Sequence, residues 1–150
     1  MATADELVGA FTAAVPFALR ELAGVEAIDL ATGPASRAEP VELCATIRLD
    51  TSVGPWRMIL CLSDATAAEL ARRILADAVV STPELIQDCM GEVANVVAGQ
   101  AKALLVGSPS HFYLSTPDVQ TGGPVDGANG QMIRFGSEAG EFALGLYPPS

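Results

Sequence analysis

Glu92 and Asn95 stand three residues apart in the only Glu-x-x-Asn of the chain. On a helix this spacing puts both side chains on one face, with Cβ atoms about 5–6 Å apart. A carboxylate there can hold a partner's ammonium. An amide can accept a hydrogen bond from water through its carbonyl while its amino group donates to an anionic oxygen. Gly99 lies one turn beyond Asn95. Glycine inside an exposed helix costs roughly 1 kcal/mol relative to alanine, so its choice over alanine carries information. It clears space beside the pair, as a helix face does when another molecule's backbone must come close.

The element that positions the pair is a helix expected over Pro83–Val106, with Thr82 as its cap and Pro83 at its first position. At about 100° per residue, Ile86, Met90, Val93, Val97, Ala101 and Leu104 form an apolar stripe. Asp88, Glu92, Asn95, Gly99 and Lys102 fall on the opposite side. A first helix is expected over Ala4–Leu22, with Pro16 kinking or dividing it. A short extended piece at Glu26–Ala31 and a loop at Thr32–Pro40 follow. Val41–Asp50 alternates, with Leu43, Ala45, Ile47 and Leu49 on the buried side and Glu42, Cys44, Thr46 and Arg48 on the other. A turn leads to a second alternating strand, Trp56–Leu62, and Ser63 or Asp64 caps a helix through Ala76. After the long helix, His111–Thr121, Gln131–Phe135 and Glu141–Tyr147 read as strands, the first two joined by the glycine-rich loop Gly122–Gly130. The order α-βββ-αα-βββ with short connections predicts an α+β fold, a mainly antiparallel sheet covered by helices.

At 150 residues the chain reads as a single domain, large enough to bury a core without a metal or disulfide. Its 18 acids against 8 Lys and Arg, with no basic run longer than Arg72-Arg73, argue against nucleic acid, anionic membrane surfaces and a dedicated nucleotide pocket. No apolar run reaches the length of a membrane span, and the acidic first residues are unlike a signal peptide, so a cytoplasmic protein is expected. Cys44, Cys61 and Cys89 lack metal-ligand spacing and read as reduced, buried small hydrophobes. One histidine, His111, makes no metal site with scattered cysteines and is read as structural or surface. The glycines of Gly122–Gly130 lack the strand-then-helix setting of a phosphate loop. Trp56 is read as filling the core or a dimer contact, and Gly91 as permitting close packing.

The string Asp88-Cys-Met-Gly-Glu92-Val-Ala-Asn95-Val-Val-Ala-Gly99-Gln-Ala-Lys102 resembles the signature of the CheC/CheX/FliY family, phosphatases of the chemotaxis response regulator CheY. Tyr113–Gly122, with its Pro117, is similar to the strand that follows that helix in the family. The resemblance is specific over Pro83–Gly122, and the single motif and short chain match the CheX branch.

What the resemblance implies is an aspartyl-phosphate phosphatase acting on a phosphorylated CheY-like regulator. Glu92 would contact the regulator's active-site lysine, and Asn95 would orient the attacking water at its phosphoaspartate. Asp88, Gly99 and Lys102 would serve docking, and the chain would form a homodimer. It would bind no metal or cofactor itself, the Mg ion lying in the regulator's active site. Such a helper has only to place a water, because the regulator brings its own cations. The alternative is a CheX-like scaffold that binds a receiver domain or flagellar component without catalysis.

Overall fold

Three hydroxyl side chains start the three helices of the computed structural model, which describes residues 3–35, 41–76, 82–122 and 129–149. Thr3 accepts from the Glu6 N–H, Ser63 from Thr66 and Thr82 from Leu85, each satisfying a donor that the first helical turn leaves open. The helices are α1 (Ala4–Ala23), α2 (Asp64–Leu75) and α3 (Pro83–Leu104), and the strands are β1 (Ala27–Pro34), β2 (Leu43–Thr51), β3 (Gly54–Leu62), β4 (Phe112–Leu114), β5 (Asp118–Thr121), β6 (Gln131–Ser137) and β7 (Phe142–Tyr147). Among the described residues, no helix is long and apolar enough to cross a membrane.

The strands form one antiparallel sheet in the order β1-β6-β7-β3-β2, with β4 and β5 both pairing the far side of β2. All three helices lie on one face, and the fold is α+β. The core between the layers holds Leu7, Phe11 and Leu19 of α1, Ile47 and Leu49 of β2, Met58 and Leu60 of β3, Met90 of α3 and Ile133 and Phe135 of β6. Phe11 stacks on Phe112 and Phe135 on Phe142, with ring centroids 6.1 and 5.4 Å apart. Ser110, fully buried, accepts from the Thr3 N–H at 3.1 Å and donates to the Glu6 carboxylate at 3.0 Å, tying the segment after α3 to the start of α1.

Several expectations change. Pro16 does not divide the first helix, which is continuous from Ala4 to Ala23. Pro16 brings no N–H to the carbonyl one turn back, and its ring costs the helix a single interior bond, while α1 buries a full apolar face in return. β1 continues to Pro34, into the expected loop, whose residues 36–40 lie outside those described, as do 123–128 of the glycine-rich loop. The single strand expected at His111–Thr121 is two short strands. β4 pairs Leu49–Thr51 and β5 pairs Leu43–Thr46, so together they are one edge strand interrupted at Ser115–Pro117. Pro117 suits such an outer edge, and Arg48, across from the gap, bonds to Ser115, its N–H donating to Ser115 Oγ at 2.9 Å. Leu104, placed on the apolar stripe, is 58% exposed, because the inward position four residues on from buried Ala101 falls to Leu105, which is 6% exposed. β2, expected to bury one face, buries part of the other too: Cys44, on the outer side and buried as its type suggested, joins a second small cluster with Ile59, Cys61 and Tyr147 on the face away from the helices. Trp56 is a core residue, 6% exposed.

Candidate functional site

α3 buries Cys89, Met90, Gly91, Val93, Ala94, Val97, Ala98 and Ala101. The small residues among them let it lie close to α1, β2 and β5. The burial of this broad face leaves Asp88, Glu92, Asn95, Gly99 and Lys102 as a ridge along the opposite side. Asp88 and Glu92 are exposed; Asn95, Gly99 and Lys102 are partly buried. Among the described residues, neither the Glu92 nor the Asn95 side chain has a hydrogen-bond or ion-pair partner. Both are open to a molecule arriving from outside.

The ridge borders a groove of about 490 Å³ lined by Gln87, Asp88, Gly91, Glu92 and Asn95 from α3 and by Thr116, Pro117 and Val119 from the interrupted edge strand. Gln87 and the edge-strand wall, though the latter lies in the Tyr113–Gly122 segment noted above, carried no site role in the sequence reading. Pro117 was the available signal, since a proline within a strand pattern marks an edge or a break. Gly91 is what brings the two walls together. A Cβ on it would stand 3.3 Å from Val119 Cγ2 and 3.8 Å from Pro117 Cβ, the close packing its type suggests. Gly99 differs: a Cβ there would meet nothing within 4 Å, so the space above it is free for an incoming surface.

At the far end of the ridge the Lys102 ammonium lies 5.1 Å from the centroid of the Tyr113 ring, a cation–π contact that steadies a long side chain. Tyr113 is itself 68% exposed, and the His111 ring meets it edge-on at 5.6 Å. Burial and the nearby Asp88 charge push the thiol of neighbouring Cys89 up, away from the thiolate form. Among the described residues, no three His, Cys, Asp or Glu side chains gather where they could hold a metal ion. The arrangement therefore offers a carboxylate, an amide and a shallow walled groove. Such a set can grip and orient groups that another molecule supplies, and has little to offer a small ligand enclosed on its own.

Residues 43–135, which include the whole ridge and both groove walls, match the model of the chemotaxis phosphatase CheX family. No curated protein matches the chain. Among solved structures, a chemotaxis protein CheX from Desulfovibrio desulfuricans is 22% identical with a TM-score of 0.82, covering 94% of this chain and 97% of its own. CheX from Vibrio vulnificus is 21% identical with a TM-score of 0.83, covering 95% and 98%. A CheX–CheY–BeF3–Mg+2 complex from Borrelia burgdorferi aligns at 17% identity with a TM-score of 0.75, covering 93% and 96%. These structures share the fold of the chain, and with more than half of its length matched by the family model, the chain belongs to the chemotaxis phosphatase CheX family.

Proposed function

We propose that this chain is a cytoplasmic protein phosphatase that hastens hydrolysis of the aspartyl phosphate of a CheY-like response regulator. The observation that carries the reading is the placement of Glu92 and Asn95: adjacent on one ridge, without partners among the described residues, and beside an open groove. Glu92 takes the ammonium of the regulator's lysine. Asn95 reaches the phosphoryl group, its carbonyl accepting from the attacking water and holding it in line with the leaving carboxylate. The regulator supplies the Mg ion and the lysine that neutralise charge, and this chain binds no cofactor. Positioning alone meets the demand, since a hundredfold acceleration needs only about 2.7 kcal/mol. Asp88, Gly99 and Lys102 complete the docking surface, and the protein works as a homodimer with this ridge turned outward. That the CheX of the Borrelia burgdorferi complex was solved bound to CheY supports the choice of partner.

The test is phosphoryl-label decay. The protein is mixed with each phosphorylated receiver domain of its host, and release of phosphate is followed over time. Faster decay for at least one regulator supports the reading. A stable complex with unchanged decay would make the protein a scaffold instead.

A further inference from the structure

Cys44 on β2 and Cys61 on β3 face each other directly in the antiparallel register. Such pairs alternate between those that exchange two N–H···O bonds and those that exchange none. Pro55 has no N–H, so its pair with Asp50 is of the second kind. The register runs without a shift from there to Cys44 and Cys61, an even number of positions on, which makes theirs non-hydrogen-bonded as well. In that geometry Cα atoms stand about 4.5 Å apart with side chains closer, within the ~4.4–6.8 Å that a disulfide spans. Neither cysteine is in a disulfide, and the two thiols share a hydrogen bond. Cys61 also lines a cavity of about 220 Å³ on the side of the sheet away from the helices, with Leu30, Val41, Arg134 and Ala143 among its walls. That space admits a small oxidant to a pair otherwise covered by Tyr147 and Ile59.

We infer that Cys44 and Cys61 form a modification site, a dithiol that hydrogen peroxide converts to an intramolecular disulfide within the folded protein. One sulfur, as thiolate, attacks the peroxide. An S–O bond forms, the O–O bond breaks, and the departing oxygen leaves as water with the proton released. The second sulfur then attacks the sulfenic sulfur, the S–S bond forms and the S–O bond breaks, and the oxygen leaves as a second water. The two thiols lose two electrons and two protons, and the peroxide is reduced to two waters. The hydrogen bond with Cys61 holds the Cys44 thiol below its ordinary range despite burial, which favours a thiolate within the pair. Cys89, pushed the other way, stays out of the reaction.

This site is independent of the ridge on α3, and its test needs no regulator. The full chain is treated with hydrogen peroxide, then unfolded, alkylated and weighed intact. Of three thiols one remains, the chain is lighter by two hydrogens, and peptide mapping joins the segments holding Cys44 and Cys61. A thiol reductant restores all three, and a Cys89→Ala variant loses its two thiols at the same rate. Cys61→Ala stops at a single oxygen on Cys44. Oxygen adducts with no loss of the hydrogen pair, linkage only between chains, Cys89 reacting as fast, or closure only in denaturant would each overturn the proposal. Should Cys61→Ala not fold, the wild-type and Cys89→Ala masses decide alone.

Discussion

Val119 Cγ2 lies 3.3 Å from the point where a Cβ on Gly91 would stand, so α3 rests on β5 with no room between them. Two effects oppose each other in Gly91→Ala. Helix propensity gains up to about 1 kcal/mol, and Val119 must give by a few tenths of an ångström. The expected result is a stability close to wild type. Gly91→Leu has no such balance and is expected to cost about 1–3 kcal/mol by overpacking. It also lifts Asn95 away from the Pro117 wall, so phosphate release slows by more than the unfolded fraction explains. Urea unfolding beside the label-decay assay checks both. A Gly91→Leu protein as stable as wild type would show that the contact is loose.

Gly99 makes the opposite case. With open space above it, Gly99→Ala should stabilise the protein by roughly 0.5–1 kcal/mol, yet bind the regulator more weakly, because the added methyl enters the docking surface. Unfolding midpoints and a titration with phosphorylated regulator separate the two. Tighter binding in the variant would mean that the regulator does not approach here.

Asn95→Ala is expected to lower the rate of phosphate release about 100-fold while affinity changes little, because water placement is lost and docking is kept. Glu92→Ala is expected to weaken binding by about 10- to 100-fold, equivalent to about 1.4–2.7 kcal/mol. Single-turnover rates at saturating and limiting concentration distinguish these effects. Equal losses of rate and affinity in both variants would show that the two residues do not divide the work this way.

Glu69 offers a pH signature away from the site. Hydrogen bonds from Arg72 and then Arg73 hold its carboxyl at about 2, against an ordinary 4.5. A depressed folded pKa stabilises the native state above the unfolded value, and this contribution is lost as pH falls from about 4.5 through about 2. Because the group is at the surface, salt screens it. The stability difference between wild type and Glu69→Gln should therefore be present at neutral pH and low salt. It should shrink in high salt and vanish near pH 2. A difference that survives acid would point to packing of the Glu69 stem.

Periodicity and capping residues were enough to place α3. Thr82, Pro83 and the recurrence of apolar residues defined its start and its inner face, and with them the side on which Glu92 and Asn95 stand. Where the sequence misled, long-range geometry was the cause. The spacing of Leu104 continues the stripe, but the packing at the helix end gives the inward position to Leu105 instead. Alternation in β2 reports one buried side; the burial of Cys44 on the other was legible from its residue type, but not its cover, Tyr147, over a hundred residues away in the chain. Similarly, Thr116 and Pro117 join the groove through Gly91's contact with the edge strand, which no local pattern encodes.

The gap at Ser115–Pro117 also bears on how the molecule behaves in crowded solution. An uninterrupted outer strand presents a row of unpaired amides that recruits other chains and seeds fibrils. Pro117 removes one of those amides and splits the row into segments of three and four residues, too short to template an aggregate. The margin that flanks the groove can thus stay exposed at high concentration without becoming sticky.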